Sequence, residues 1–167
     1  MAQPLLSLSQ EESCPHYDFQ QGRLRVIEAI QASQRRPFIM AVFGIPDSGK
    51  TYLIESLGNH FEALGLKVKQ RDNREKINLY ESWTFGSYGI EETLSRDLVM
   101  FHCPWDDRSR PWKDQKDPEK ILSVAGRNLD LAVGIYNPRI NPTMPRGRYD
   151  LIIRNSESQE KPIHPYD

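Results

Sequence analysis

Gly44-Ile45-Pro46-Asp47-Ser48-Gly49-Lys50-Thr51 is where residue type and spacing speak most directly of chemistry. Glycine, four residues, then Gly-Lys-Thr is the pattern of a phosphate-binding loop. Glycines let the backbone bend around an anion, so that several N–H groups point inward at its oxygens. A helix that starts at the end of the loop adds the positive end of its dipole. In that setting Lys50 reaches the β- and γ-phosphates of a nucleoside triphosphate, and the Thr51 hydroxyl ligates Mg²⁺. The competing reading is a Gly-rich turn with an incidental lysine. The flanks argue against it, because an apolar strand precedes the loop and an amphipathic helix follows.

A kinase built on such a loop also needs an acid for the Mg²⁺ shell and a carboxylate to orient the acceptor hydroxyl. The apolar run Leu98–Cys103 is the natural place for the first, since a parallel strand beside the loop strand ends near the phosphates. Here it ends in His102-Cys103-Pro104-Trp105, and acids arrive only at Asp106 and Asp107. These two are candidate metal residues, with solvated loop acids as the alternative. His102 reads as a packed strand-end histidine rather than a catalyst. Asp72, in Arg71-Asp72-Asn73-Arg74, follows the second strand and is the candidate for orienting the acceptor; the alternative is a turn aspartate. Arg108 and Arg110 lie in a long polar loop and are candidates for closing over the phosphates, against a plain surface role. Tyr80, Trp83, Phe85 and Tyr88 would line an acceptor pocket or belong to the core.

The elements that must position these groups follow from apolar patterning. Asp18 is placed to cap a first helix whose apolar face holds Leu24, Ile27 and Ile30, with Val26 beside them. Phe38–Phe43 is continuously apolar, as a strand covered on both faces requires. A helix over about 49–64 has Leu53, Ile54 and Leu57 facing inward and Gly65 as its stop. Strands are expected at 66–70, 98–103, 129–136 and 149–154, and a helix from Asp117-Pro118-Glu119 to about Arg127. Segment 71–96 is the least legible, with helical pieces near Tyr80–Trp83 and Ile90–Arg96. The expected fold class is α/β, a three-layer sandwich with a mostly parallel five-stranded sheet. Residues 1–16 read as a flexible leader, 17–154 as one nucleotide-binding domain and 155–167 as a flexible tail.

With this motif and layout the chain resembles the small-molecule and nucleotide kinases of the P-loop NTPase superfamily. Within it, Ser48-Gly49-Lys50-Thr51, the join Leu64-Gly65-Leu66-Lys67-Val68 and the string Asp72-Asn73-Arg74 look most like adenylylsulfate kinases. By that resemblance Asp72 and Arg74 would face the acceptor. The family's string has one more residue between Asn and Arg, and its later acceptor pattern is not recognisable here. The resemblance therefore implies a kinase but no named substrate.

Composition bounds the partners. The chain carries 22 Lys plus Arg against 23 Asp plus Glu, which argues against binding nucleic acid through bulk positive charge. Arg35-Arg36 and Arg146-Arg148 are small basic spots, more often solvated surface. Cys14 and Cys103 have neither a disulfide framework nor zinc-ligand spacing. No apolar stretch approaches the roughly 18 residues of a membrane span, so a cytoplasmic protein is expected. Leu129–Tyr136 runs into Asn137-Pro138-Arg139 rather than the Asn-Lys-x-Asp string that reads guanine in GTPases. The sequence thus predicts an ATP-dependent, Mg²⁺-using kinase of a small-molecule acceptor, with GTP as the alternative nucleotide and nucleic acid an unexpected partner. A nucleotide-binding switch with little turnover is the second reading, motivated by the missing strand-end acid.

Overall fold

The computed structural model describes residues 14–69, 95–109, 118–124 and 126–156. Its centre is three strands whose residues are all buried: β2 (Phe38–Phe43), β4 (Leu98–Cys103) and β5 (Leu131–Tyr136). Side chains alternate across a strand, so β2 sends Phe38, Met40 and Val42 to one face and Ile39, Ala41 and Phe43 to the other. Apolar cover on both faces is what their continuous hydrophobicity demands.

Three further strands complete the sheet among the described residues: β1 (His16–Asp18), β3 (Val68–Lys69) and β6 (Leu151–Arg154). The order is β1-β6-β5-β2-β4-β3, and every pairing is parallel. The five expected strands are all present. The sixth, β1, lies at the foot of what reads as a leader in the sequence. There Pro15 O accepts Ile152 N at 2.9 Å, and the half-buried Cys14 thiol donates to Tyr149 O.

Two helices, α1 (Phe19–Ala32) and α2 (Lys50–Ala63), cover one face. Asp18 caps α1 as expected, its Oδ1 accepting Gln21 N at 2.8 Å. The buried stripe of α1 is Phe19, Gly22, Val26, Ile27 and Ile30, and Leu24 is 52% exposed instead of joining it. Leu24 lies roughly 140° around the helix from Phe19 at 100° per residue, which turns it outward. α2 ends where Gly65 adopts φ +91° and Leu66 N returns to Phe61 O. A shorter helix, α3 (Pro118–Val124), adds Leu122 to the core on the opposite face. The layers are helix, sheet and helix, the α/β sandwich expected of a P-loop NTPase fold. No helix among the described residues is long and apolar enough to cross a membrane.

The topology places the site. From β2 the chain passes through α2 toward β3, whereas from β5 it passes to β6 on the other side. Connections that diverge from neighbouring parallel strands leave a crevice at their carboxyl ends, where ligands bind in open α/β sheets. Gly44–Gly49 opens there.

The candidate phosphate-binding site

Gly44–Gly49 joins the carboxyl end of β2 to the first turn of α2, and Gly44 N donates to Cys103 O at the end of β4. The loop needs its glycines for different reasons. A Cβ on Gly44 would stand 2.6 Å from both Ile135 O and Ser48 Oγ, so only glycine fits between loop and strand. Gly49 is the N-cap of α2 at φ +100°, a left-handed conformation that costs other L-residues about 1–2 kcal/mol. Asp47 also adopts positive φ, +68°. These turns curl the backbone so that Ser48 N reaches Ile45 O and Leu53 N reaches Gly49 O.

Lys50 and Thr51 are 4% and 2% exposed. Such burial is unusual for lysine unless the ammonium is engaged. Lys50 Nζ donates to Ile45 O at 2.8 Å, folding the side chain back across the loop. Ser48 Oγ is buried and makes no hydrogen bond among the described residues. A buried hydroxyl without a partner is costly. Here it lies within a loop of inward-curled backbone at a helix N-terminus, and a phosphate oxygen supplies the matching acceptor. The residues present therefore fit the triphosphate that the motif implies.

Asn155 braces the loop from behind. It is 1% exposed, its Nδ2 donates to Ser48 O at 3.0 Å, and its N–H donates to Tyr136 O at 2.8 Å. A Cβ on Gly49 would run into Asn155 Nδ2. The sequence reading placed Asn155 in the tail because the residues after it are polar. One signal could have found it: it directly follows a buried parallel strand, and the carboxyl ends of such strands gather around the site.

On the other side of β2, His102 Nε2 lies 2.8 Å from Thr51 Oγ1, and both side chains are buried. The expected packing of His102 at the strand end is observed, and its partner is the hydroxyl assigned to Mg²⁺. For the metal, Thr51 and the phosphate oxygens suit Mg²⁺, which keeps several waters and takes few protein ligands. No cluster of three or more His, Cys, Asp or Glu able to hold a metal ion occurs among the described residues.

The acids after β4 divide. Asp106 is partly buried. Desolvation and the neighbouring Asp107 push its carboxyl pKa up, while a backbone hydrogen bond and the Lys50 ammonium pull it down, with desolvation the largest influence. Its electrostatic contact with Lys50 puts it in the field of the site. Asp107 is turned to its own loop, its Oδ1 accepting Ser109 N at 2.9 Å and also Ser109 Oγ. Arg108 lies over the rings of Phe43 and Tyr149, 4.9 and 5.5 Å from their centroids. Its guanidinium donates to Glu119 Oε2 at 2.9 Å and to Arg148 O. These partners hold Arg108 on the α3 face of the sheet. Arg110, Asp72, Arg74 and the aromatics Tyr80, Trp83, Phe85 and Tyr88 lie outside the described residues.

Asn137 is buried, and its Oδ1 accepts Arg139 N at 3.0 Å, so it shapes the turn after β5. The exposed residues Arg139, Arg146 and Arg148 stand on the β5–β6 connection. Backbone bonds tie Arg146 to both Asp106 and Arg108.

Comparison with known proteins gives one local similarity. The chain is 43% identical over 56 residues to the polyribonucleotide 5'-hydroxyl-kinase of Thermococcus kodakarensis, a match covering 34% of this chain and 16% of that protein. The chain thus spans about a sixth of the length of the curated relative it matches. No family model matches the chain. Nor does any solved structure. The match to a polyribonucleotide kinase and the all-parallel sheet fit the superfamily read from the motif, whereas nothing found singles out adenylylsulfate kinases.

Proposed function

We propose that the protein is an ATP-dependent phosphotransferase that uses its Gly44–Thr51 loop to transfer the γ-phosphoryl group to a hydroxyl, and that the acceptor is the 5'-hydroxyl of a polynucleotide. The observation that carries the first part is the loop itself: a buried Lys50 folded onto Ile45 O, a partnerless buried Ser48 Oγ and a left-handed Gly49 at the head of α2. Backbone N–H groups of residues 45 and 47–51, Pro46 having none, and the Lys50 ammonium hold the triphosphate, and Thr51 Oγ1 would ligate Mg²⁺. Bound there, Mg²⁺ neutralises charge on the β- and γ-phosphates. The acceptor oxygen forms a bond to the γ-phosphorus as the bond to the bridging oxygen breaks, and ADP leaves. Asp72 is the proposed group that orients the acceptor and takes its proton.

The polynucleotide acceptor rests on the similarity to the Thermococcus kinase and replaces the small-molecule acceptor expected from the resemblance to small-molecule kinases. The near-neutral net charge does not oppose it, because a strand end needs only a local set of phosphate contacts. Exposed Arg139, Arg146 and Arg148 provide such a set. ATP is preferred because Asn137-Pro138-Arg139 occupies the place of a guanine-reading string.

Calorimetric titration with Mg-ATP and Mg-GTP tests the loop. Lys50→Ala should weaken ATP binding on the order of 100-fold, matching about 3 kcal/mol of charge-assisted contacts. No binding to the wild-type protein at millimolar nucleotide would remove the phosphotransferase reading. Labelled γ-phosphate should then pass to 5'-hydroxyl oligonucleotides and not to 5'-phosphorylated ones. Transfer to nucleosides alone would return the acceptor to the small-molecule class. A switch with little turnover is the second reading, favoured by the histidine that stands where a strand-end acid is expected; tight binding without transfer to any acceptor would select it.

A further inference from the structure

The connection from β5 to β6 sets cations and apolar side chains side by side on a fixed backbone. From Asn137 to Arg154 the chain carries four arginines and one acid, Asp150, whose carboxylate accepts Ala132 N, although the whole chain has a net charge of -1. Arg139, Arg146, Arg148 and Arg154 are exposed, and among the described residues their guanidinium groups have no hydrogen-bond, ion-pair or ring partner. Elsewhere Arg25 pairs with Glu28, Arg35 with Asp130 and Arg108 with Glu119. Ile140 and Met144, 53% and 44% exposed, fall between Arg139 and Arg146 in the chain. Pro145 and Tyr149 pin the segment to the sheet, since a Cβ on Gly134 would meet both at 3.2 Å. Asn137 Oδ1 and Asn141 Oδ1 close the turns at Arg139 N and Thr143 N. Side chains alternate along β6, so Arg154 shares the α3 face with Ile152 and Tyr149.

We propose that this strip is the docking surface for a single-stranded polynucleotide: the four arginines contact phosphates, and Ile140 and Met144 lie against unstacked bases. This rests on the reading of the acceptor as a polynucleotide and adds where, and in what form, the strand is held. A chain near zero net charge attracts a polyanion through local cations that its own acids leave unneutralised. A backbone fixed by prolines and turns presents those cations with little ordering left to do on binding. The apolar side chains select the form of the strand. A duplex hides its base faces in the stack, whereas a single strand offers them to side chains lying among the phosphate contacts. The strip also reaches the edge of the sheet that carries the phosphate loop. Arg146 N donates to Asp106 O, and the Asp106 carboxyl feels the Lys50 ammonium. Arg154 precedes Asn155, which donates to Ser48 O. A strand on this surface therefore borders the loop where the γ-phosphoryl group would be held.

The test is fluorescence anisotropy of a labelled single-stranded RNA of about 20 nucleotides, without ATP, over a series of salt concentrations. Arg139→Gln/Arg146→Gln/Arg148→Gln should weaken binding by roughly 10-fold or more and lower the salt slope by about 2, at about 0.7 per phosphate contact. Arg25→Gln/Arg36→Gln/Lys67→Gln, which removes as much charge elsewhere, should stay within about twofold of wild type. Ile140→Ser/Met144→Ser should weaken binding about fivefold and leave the salt slope alone, and a duplex of the same sequence should bind about fivefold more weakly than the single strand. Equal losses in the two triple variants, or a duplex bound as tightly as the single strand, overturn the proposal. So does tighter binding to phosphatidylcholine vesicles containing phosphatidylserine than to RNA, which would make the strip a membrane contact. If the first triple variant melts early, Arg139→Gln/Arg154→Gln, away from the Arg108 loop, must show the weaker binding and the smaller slope. Transfer of labelled γ-phosphate to an RNA with a free 5'-hydroxyl separates this inference from the reading beneath it. A strand bound through the arginines but never phosphorylated removes the kinase and keeps the docking surface. Transfer with an unchanged KM for RNA in the triple variant keeps the kinase and removes the surface.

Discussion

The loop after β2 and the loop after β4 leave the same edge of neighbouring strands, yet their polar groups are used differently. Gly44–Thr51 is held from outside: Asn155 donates to Ser48 O, Cys103 O accepts from Gly44 N, and His102 meets Thr51. Asp106–Ser109 is held from inside its own neighbourhood. Asp107 binds Ser109, Arg108 binds Glu119 and Arg148 O, and Tyr149 OH donates to Asp106 O at 2.6 Å. A loop whose Arg108 and Asp107 side chains bond to neighbouring residues is tied into its surroundings. A loop braced through its backbone leaves functional atoms such as Ser48 Oγ for something else.

Gly147→Ala should separate the two regions most sharply. Gly147 has φ +99°, and an added Cβ would meet Arg108 C and stand 2.5 Å from Ser109 N, backbone atoms that cannot swing aside. We expect a loss of about 3 kcal/mol in urea unfolding, with Mg-ATP affinity of the remaining folded protein unchanged. A matching fall in affinity would show the two loops to be one unit. Asn155→Ala acts on the other side of the comparison. It leaves buried Ser48 O without its donor, which should cost about 2 kcal/mol, and nucleotide affinity should fall with it. Unchanged affinity would mean that the brace supports the sheet and not the loop.

The smallest effect concerns Cys14, whose thiol donates to Tyr149 O beneath the second loop. Burial, and secondarily the Asp150 carboxylate, push its pKa above the ordinary 9.0. With the folded pKa raised, the folded protein holds the thiol proton longer than the unfolded chain. Its stabilising contribution is therefore complete below pH 9.0 and is lost as pH rises through the folded value. Iodoacetamide should alkylate Cys14 more slowly in the folded protein than in urea at the same pH, because the thiolate is the nucleophile. Equal rates would show this part of the second region to be loosely packed.

Continuity of apolar residues made the frame legible: Phe38–Phe43 and Leu98–Cys103 form strands with the expected bounds, and α2 runs over Lys50–Ala63 as Leu53, Ile54 and Leu57 demand. The turn at Gly44–Gly49 was legible because its glycines answer to backbone geometry, close packing at Gly44 and a positive φ at Gly49. What surrounds it was not. Arg108 is in sequence only a cation of a long polar loop, because its partners Phe43, Glu119, Tyr149 and Arg148 are distant along the chain and meet it only once the sheet has formed. Asn155 carries no periodicity because its contacts, to Ser48 and Tyr136, are single hydrogen bonds. β1 was hidden for a similar reason. At three residues it is too short to show alternation, and it is defined by pairing with Ile152, Ile153 and Arg154.

The place of β6 in the sheet sets an order on assembly. It lies between β1 and β5, so β1, made first, joins the sheet only through a strand made late in synthesis. Until it emerges from the ribosome, β1 has no strand to pair with among the described residues. Such non-local pairing is slow to form and sensitive to interruption. Asn155 follows β6 directly, so the phosphate loop gains its brace in the same event that closes the sheet. A nascent chain stopped short of that residue would carry the whole Gly44–Thr51 motif and still lack its brace at Ser48 O.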